Sequence, residues 1–319
     1  MKFAVAGAGA IGAYLGAKMA HAGYDVTLFA RGAHCRAMRE HGVRVLSPDG
    51  DFEAHPRVVD SLAAAGPVDV VFLAVKAHSL PALAPQLPPL FGPETAVVSM
   101  QNGIPWWYFT GAGRPEKIDP GGVISAAIEA RRVIGSIVYL STEIVEPGVI
   151  RHNEGTRITL GEPDGARSER CRAISEALAR SGLRAPITTH IRQEIWVKLL
   201  GNIAFNPISA LTGATLVAIA RDPDTSQLVR AIMGETEALA HKLGIELPIT
   251  IDQRITGAEK VGEHKTSMLQ DLEAGRPLEL DAIAGAALEL GDRLGVPMPA
   301  TRAVYACTKL LEKQRGRAK

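Results

Sequence analysis

A glycine-rich turn near the N-terminus constrains the fold more than any other feature of the chain. Its glycines follow the pattern G-x-G-x-x-G: Gly7, Gly9 and Gly12. The apolar stretch 2–6 before the turn predicts a strand, residues 10–22 after it have helical spacing, and 26–29 predict a second strand. A strand, a glycine turn, a helix and a strand in this order are the setting in which the pattern binds a dinucleotide. The alternative is a glycine turn that binds no ligand.

Each glycine of the turn has its own physical reason. Gly7 permits the tight turn, Gly9 lets the backbone approach a pyrophosphate, and Gly12 lets the helix pack closely against the strand. Ala10 and Ile11 begin the helix, whose unpaired N–H groups face the phosphates. We therefore predict that these five residues bind the cofactor.

The end of the second strand distinguishes NAD from NADP. Enzymes that use NAD usually place a carboxylate there for the ribose 2′-hydroxyl, whereas an arginine can pair with the 2′-phosphate of NADP. Here Arg31 follows the strand, and Asp25 lies at the opposite end. The pattern favours NADP, and the alternative is that Arg31 is a solvated loop cation.

Two further apolar runs, 68–75 and 95–100, predict buried strands of a parallel sheet. Polar residues follow both runs: Lys76 comes directly after the first, and Asn102 comes two residues after the second. Functional residues of such sheets gather beyond the carboxyl ends of the strands, so we predict that both lie near the cofactor. Because Asn-Gly is a common turn pair, ordinary loop positions are the alternative.

The rest of the chain divides into two predicted domains, residues 1–189 and 190–319. Within 133–161 the sequence predicts short antiparallel strands, followed by a helix at 166–181 and a strand near 183–188. The second domain has helical periodicity throughout, in the segments 190–206, 223–244, 248–263, 281–295 and 299–314, with Pro207 as one of the breaks between them. The expected fold is therefore α/β, an N-terminal Rossmann-type doubly wound sheet followed by an all-α C-terminal domain.

The first of these helices carries an unusual polar stripe. Lys198, Asn202 and Asn206 recur every four residues in the otherwise apolar stretch "EIWVKLLGNIAFNP", so the helix presents them on one side. A solvated helix face is one interpretation, because Glu194 lies on the stripe and can pair with Lys198. A pocket wall is the other, with amides that hold a polar substrate and an amine that donates a proton.

A second polar cluster, "HKTSMLQDLEAGRPLELD", spans residues 264–281. Ser267 and Glu279 are its candidate site residues. The alternatives are a helix cap for Ser267 and a favourable charge near a helix N-terminus for Glu279.

Composition excludes several other classes of function. The 35 basic and 34 acidic residues give a net charge of +1, which argues against nucleic acid or an anionic membrane as the partner. The three cysteines and nine histidines show no metal-binding or disulfide spacing. No apolar run is long enough for a membrane span. We therefore expect a cytoplasmic protein without a metal.

Taken together, these stretches resemble the ketopantoate reductase (2-dehydropantoate 2-reductase) family over nearly the whole chain. The matching pieces are "GAGAIG" at 7–12, Arg31, "VK" at 75–76, "QNG" at 101–103, "WVKLLGNIAFNP" at 196–207, "KTSMLQD" at 265–271 and "RPLELD" at 276–281. The resemblance implies a Rossmann domain followed by an all-α domain. It also implies an enzyme that reduces a 2-oxo acid with NADPH on the route to pantothenate.

The resemblance further implies roles for single residues. Lys198 is the general acid that protonates the carbonyl oxygen, and Asn202 and Asn206 hold polar groups of the substrate. Ser267 contacts the substrate carboxylate. Glu279 accepts a hydrogen bond from the substrate hydroxyl or from the cofactor.

It places two more residues, Lys76 and Asn102, near the nicotinamide, and Arg31 near the adenosine phosphate. General chemistry agrees with a lysine donor, because hydride transfer to a carbonyl creates alkoxide character that needs a proton.

The chain departs from the family pattern at two places. Where many members carry a further substrate-binding asparagine, this chain reads "ISALTGATLVAI". After "QNG" comes a long aromatic insert with Trp106, Trp107, Tyr108 and Phe109. The insert is either a pocket wall that selects a bulkier oxo acid, or a surface loop or dimer contact; a homodimer is compatible with it. A non-catalytic NADP-binding sensor is the alternative from another class.

Overall fold

The computed structural model describes residues 1–109 and 113–317, so the middle of the aromatic insert, 110–112, lies outside the described residues. The chain forms two compact units. The sheet unit consists of residues 1–101 and 122–191, and the helical unit consists of residues 102–121 and 192–319. The insert therefore groups with the helical unit, although the expected boundary near residue 189 assigned it to the first domain.

The sheet unit is built on one nine-stranded sheet with the order β4-β3-β9-β8-β7-β6-β1-β2-β5. Its strands are β1 Lys2–Ala6, β2 Asp25–Phe29, β3 Val43–Leu46, β4 Phe52–Ala54, β5 Arg57–Val59, β6 Val68–Leu73, β7 Phe91–Ser99, β8 Val133–Glu146 and β9 Val149–Gly161. Only the pairs β3–β4 and β8–β9 are antiparallel among these strands. The strand order reverses beside β1, where the chain runs outward to β2 on one side and to β6 on the other. The predicted Rossmann-type fold class is confirmed.

The helices of the sheet unit are short. They are α1 Ala10–His21, α2 Gly32–His41, α3 Leu80–Leu83, α4 Val123–Ala127 and α5 Glu169–Arg180. The core lies between the sheet and α1: Phe3 and Val5 of β1 are buried together with Leu15 and Met19 of α1. Burial of both strand and helix faces explains the continuous apolar runs in this part of the sequence.

The three glycines of the N-terminal turn occupy different surroundings. Gly7 has φ +109°, and a Cβ atom there would lie 2.8 Å from the backbone nitrogen of Val75. A Cβ atom on Gly12 would collide with the carbonyl oxygen of Gly7 and lie 3.0 Å from Val5. At Gly9 a Cβ atom would meet nothing within 4 Å. Close packing therefore requires two of the glycines, whereas the third faces open space.

The region after β7 differs from the prediction. Instead of several short strands, β8 and β9 form one long antiparallel hairpin with register shifts near Tyr139 and Ser141. Gly155 lies inside β9 with φ +79° and packs closely against the Tyr139 carbonyl, so it accommodates the shift. The strand expected at 183–188 is reduced to isolated bridges at Arg184 and Ile187, because Pro186 between them has no N–H to donate.

The helical unit is built from seven α-helices among the described residues. Its helices are α6 Ile191–Thr212, α7 Leu216–Arg221, α8 Pro223–Lys242, α9 Ile251–Val261, α10 Ser267–Glu273, α11 Ala286–Leu294 and α12 Pro299–Arg317. A single π-helical turn, Asp281–Gly285, directly precedes α11. The capping box of Thr250 and Gln253 fixes the start of α9. No described helix has both the length and the hydropathy needed to cross a membrane.

The prediction that Pro207 ends the first helix is wrong, since α6 continues to Thr212. Proline in a helix removes one backbone hydrogen bond and is unfavourable by about 3 kcal/mol. The following turn is buried, with Ile208, Ser209 and Ala210 all at most 4% exposed. Burial of this turn offsets the defect and keeps the helix continuous.

The packing of Gly12 yields a stability prediction. Alanine normally stabilises a helix interior relative to glycine by about 1 kcal/mol. We expect Gly12→Ala to lower the free energy of unfolding by about 1–3 kcal/mol instead, because the new methyl group overpacks the turn against the Gly7 carbonyl. Urea denaturation followed by circular dichroism measures the difference. Gly9→Ala is the matched control and should leave the midpoint unchanged. A Gly12→Ala protein as stable as the wild type would contradict the packing argument.

Candidate active site

Three side chains from distant parts of the sequence form a continuous hydrogen-bonded line in the helical unit. The Lys198 ammonium donates to Oδ1 of Asn102 over 2.7 Å. The Nδ2 of the same asparagine donates to Oε2 of Glu279 over 3.2 Å. We call this the Lys–Asn–Glu line. An amine, an amide and a carboxylate in this order can supply a proton donor, orient it and balance its charge.

Helix α6 supplies the amine end of the line and the two neighbouring asparagines. Lys198 and Asn202 are half-buried, and Asn206 is only 5% exposed. The Nδ2 atom of Asn206 is buried and has no hydrogen-bond partner in the structure. Because buried amides are nearly always satisfied, this atom indicates a place for a polar ligand or a water molecule. A purely solvated helix face does not describe this stripe.

The amide of the line is held in place by a glycine. Gly103 has φ +84°, and a Cβ atom there would lie 2.6 Å from the carbonyl carbon of Ala282 in the π-helical turn. The N–H of Ile104 donates to the Ala282 oxygen over 3.1 Å. The loop that carries Asn102 therefore rests directly on the π turn. The sequence signal for this contact, the Asn-Gly pair, also fits an ordinary turn.

Glu279 supplies the carboxylate end and lies just before the same π turn. It is 5% exposed, and its backbone carbonyl accepts the N–H of Ile283. A solvated charge at a helix N-terminus would not be buried in this way. A buried carboxylate needs hydrogen-bond donors, and the Asn102 amide is one of them.

Ser267 does not join the line. It is exposed at the first position of α10, and among the described residues its hydroxyl makes no hydrogen bond to the Lys–Asn–Glu line. The helix cap is the preceding residue, Thr266, whose side chain accepts the N–H of Leu269 over 3.2 Å. The capping alternative for Ser267 is therefore wrong by one position.

The aromatic insert packs into the helical unit. Trp106, Trp107 and Tyr108 are buried. The Tyr108 hydroxyl accepts the indole N–H of Trp196 over 2.9 Å, and Arg192 donates to the Tyr108 carbonyl over 2.6 Å. Burial raises the pKa of Tyr108, partly opposed by its contacts with Trp196 and Arg192. Two side chains of the insert, Trp107 and Tyr108, thus contact residues of α6.

The far end of the insert is tied to α11. The Glu289 carboxylate accepts the backbone N–H groups of Glu116 and Lys117 at 2.9 and 3.1 Å. Lys117 also lies 3.3 Å from Asp281 in the π turn. Burial alone would lower the pKa of Lys117, but Asp281 and Tyr305 outweigh it, so the pKa is raised. Both ends of the insert are therefore fixed to the helices that flank the line.

The sheet unit carries the residues predicted to bind a dinucleotide. Gly9 is exposed at the N-terminus of α1, where Ala10 and Ile11 are partly exposed and the first turn holds no acidic residue. Arg31 is exposed at the N-terminus of α2, and its guanidinium carbon lies 5.3 Å from the centre of the Phe29 ring. The geometry fits an anionic ligand with a cation nearby.

Lys76 is half-buried after β6 and belongs to the sheet unit. Gln101 fixes the strand end beside it, donating from Nε2 to the carbonyls of Leu73 and Val75 at 2.8 and 3.1 Å. Sequence reasoning missed Gln101, although it directly precedes Asn102. Within residues 1–109 and 113–317 no group of three or more histidine, cysteine, aspartate or glutamate side chains could hold a metal ion.

The sheet, its glycine turn and the Lys–Asn–Glu line describe an oxidoreductase that acts on C=O and CH–OH groups. Comparison with known proteins gives the family. Residues 3–165 match the family described as "Ketopantoate reductase PanE/ApbA", and residues 190–312 match its C-terminal counterpart. The chain belongs to the ketopantoate reductase family. Family and glycine turn together support a nicotinamide cofactor.

Individual relatives agree over their full lengths. The chain is 50% identical over 323 residues to a 2-dehydropantoate 2-reductase of Mesorhizobium japonicum, covering 99% of both chains. It is 30% identical to a 2-dehydropantoate 2-reductase of Archaeoglobus fulgidus, covering 97% of each. A crystal structure of a candidate ketopantoate reductase from Ralstonia solanacearum MolK2 superimposes with a TM-score of 0.94 at 39% identity, covering 99% of this chain and 98% of that one.

The packing of the insert gives a second stability prediction. Tyr108→Phe removes the acceptor of the fully buried Trp196 N–H while it preserves the ring. We expect the free energy of unfolding to fall by about 1–3 kcal/mol, the usual cost of an unsatisfied buried donor. Tyr24→Phe, which keeps the edge-on ring contact with Phe3, is the control. Equal urea midpoints for Tyr108→Phe and the wild type would show that the hydroxyl is not needed for the packing.

Proposed function

We propose that this chain catalyses the NADPH-dependent reduction of a 2-oxo acid to a 2-hydroxy acid in the cytoplasm, most simply of 2-dehydropantoate to pantoate. The observation that carries the proposal is the hydrogen-bonded line of Lys198, Asn102 and Glu279. The 2-dehydropantoate 2-reductase of M. japonicum, which is 50% identical over the full chain, supports the choice of substrate.

Lys198 is the proposed proton donor. Reduction of a carbonyl builds negative charge on its oxygen, and an ammonium within hydrogen-bond reach both stabilises that charge and delivers the proton. Asn102 accepts one of the N–H groups of this ammonium. The contact fixes the direction of the amine on an already rigid helix, which reduces the ordering needed in the transition state.

Glu279 completes the arrangement through the asparagine. Because the amide oxygen accepts from Lys198, its NH₂ group points toward the carboxylate, so both contacts agree on one amide orientation. The carboxylate balances the charge of the lysine across the amide. It also remains the proposed acceptor for a hydroxyl of the substrate or of the cofactor.

Asn202, Asn206 and Ser267 are the proposed holders of the substrate's other polar groups. The buried Nδ2 of Asn206, which lacks a hydrogen-bond partner, supports this role for the far end of the stripe. Of these three residues, Ser267 has the least structural support for a substrate-binding role, because it is exposed.

NADPH is the proposed cofactor, and when bound it supplies the hydride. Gly7, Gly9 and Gly12 with the N-terminus of α1 would hold its pyrophosphate, because the open space at Gly9 admits a ligand close to the backbone. Arg31 would pair with the 2′-phosphate. Lys76 and Asn102 would lie near the nicotinamide end.

A bulkier oxo acid is the enzymatic alternative. Burial of Trp106, Trp107 and Tyr108 within the helical unit supports a packing role for the insert and therefore favours 2-dehydropantoate. The deciding experiment follows NADPH consumption by the purified protein with 2-dehydropantoate beside a panel of other 2-oxo acids. Faster NADPH consumption with 2-dehydropantoate than with the other acids supports the proposal. Consumption only with bulkier acids supports the alternative substrate.

Replacement of Lys198 tests the proton donor. Lys198→Ala should lower turnover by about 100-fold or more, because general acid catalysis contributes on that scale. NADPH binding, measured by fluorescence titration, should be retained. Lys265→Ala, which removes an exposed ammonium paired with Glu273, is the matched control and should keep full activity.

Unchanged turnover in Lys198→Ala would mean that another group protonates the substrate. A wild-type protein that binds NADPH yet reduces no oxo acid would instead favour a non-catalytic sensor.

Replacement of Arg31 tests the choice of cofactor. Arg31→Ala should weaken NADPH binding by about 10- to 100-fold, as expected for loss of a charged hydrogen bond to the 2′-phosphate, and should leave NADH binding unchanged. Arg36→Ala removes another exposed arginine of α2 and serves as the control. Equal weakening of both cofactors would refute the 2′-phosphate role.

A further inference from the structure

A glycine in the middle of α6 gives room to an arginine from another helix. Gly201 lies inside Ile191–Thr212, where glycine is an unfavourable helix residue. A Cβ atom there would lie 2.5 Å from Cζ and 2.6 Å from Nε of Arg254, a residue of α9. The guanidinium therefore occupies the space that a side chain at residue 201 would fill.

This position borders the polar stripe. Gly201 follows Lys198 by three residues and precedes Asn202 directly. At 100° per residue, it is displaced by about 60° from Lys198 around the helix and by about 4.5 Å along the axis. Gly201, against which the Arg254 guanidinium packs, is thus less than one turn of α6 from the proposed proton donor.

The acidic neighbours of Arg254 on α9 form ion pairs with other helices. Asp252 pairs with Arg230 of α8, and Glu259 pairs with Arg221 of α7. Arg254 is only partly exposed, and its Nε atom is buried. A guanidinium held against a helix at this depth is well suited to an anion, because its planar fork matches both oxygens of a carboxylate.

A 2-oxo acid carries such a carboxylate on the carbon next to its reacting carbonyl. We propose that Arg254, seated on Gly201, binds the carboxylate of the substrate and selects 2-oxo acids over neutral ketones; this inference rests on the proposed function. Ser267, the other candidate for the carboxylate, is exposed at the start of α10. The guanidinium would add a charged group to the recognition of the anion.

A comparison of charged and neutral substrates tests the proposal. Arg254→Gln should raise KM for 2-dehydropantoate by about 10- to 100-fold, the range for a lost charged hydrogen bond, with kcat little changed. With the methyl ester of the same acid, which has no carboxylate, the variant and the wild type should have equal KM values. Arg230→Gln, an arginine of α8 that pairs with Asp252, is the matched control.

Two further variants separate binding from packing. Gly201→Ala keeps the arginine but pushes its guanidinium away, so we expect it to raise KM for the acid and not for the ester. Arg254→Lys keeps the charge without the fork and should lie between Arg254→Gln and the wild type. If Arg254→Gln does not fold, these two variants carry the test.

A KM that rises equally for acid and ester, or for neither, would overturn the role of Arg254. Binding of oxamate, a non-reducible analogue of a 2-oxo acid, is measured by calorimetry and does not depend on turnover. If the wild type reduces no oxo acid, the proposed function fails. Loss of oxamate binding in Arg254→Gln would still support the carboxylate-binding role of Arg254. Equal oxamate binding in both proteins, or none in the wild type, overturns it.

Discussion

The amide of Asn102 holds the candidate active site together, because it contacts both charged partners. Lys198 comes from α6 and Glu279 from the segment before the π turn, and the amide accepts from the first and donates to the second. A buried carboxylate without donors is strongly unfavourable, and so is an ammonium without an acceptor. The amide gives the ammonium an acceptor and the carboxylate a donor, and it thereby helps to orient the lysine.

Glycines at close contacts help to determine where the candidate functional side chains lie. Gly103 brings the Asn102 loop onto the carbonyl of Ala282, and Gly201 opens the surface of α6 to Arg254. At both positions a methyl group would have to displace either backbone or a guanidinium. The same principle acts in the sheet unit, where Gly7 and Gly12 allow strand, turn and helix to pack without space between them. Glycine is unfavourable in a helix, and at residue 201 its missing side chain leaves the space that Arg254 fills.

Much of this architecture was predictable from local patterns. The glycine turn with its flanking strand and helix is specified within about thirty residues, a spacing typical of the dinucleotide-binding unit. The stripe of Lys198, Asn202 and Asn206 follows from helical periodicity alone. The continuation of α6 beyond Pro207 was not predictable, because it depends on burial by residues distant in sequence. The hairpin of β8 and β9 was missed for a related reason, since strand pairing absorbs an internal glycine through a register shift.

The contacts that turn these residues into a site were beyond local reasoning. Asn102 and Glu279 are 177 positions apart, and no periodicity relates them. The pairing of Gly201 with Arg254 is equally non-local. The candidate roles of Asn102 and Glu279 follow from the resemblance of their motifs to the family. The candidate role of Arg254 follows from the structure alone.

Substrate selection follows from which groups the fold has already used. In the insert, Tyr108 accepts the N–H of Trp196, and the rings of Trp107 and Tyr108 lie beside Arg192, so these two residues contribute to packing on α6. A hydrophobic wall separates similar substrates weakly, whereas a site that must hydrogen-bond a polar group strongly rejects an analogue that lacks it. The polar groups along α6 are therefore the stronger source of discrimination. If Arg254 binds the carboxylate, a neutral ketone would lack the group that the guanidinium recognises, and that loss would separate the two substrate classes more sharply than the shape of the insert.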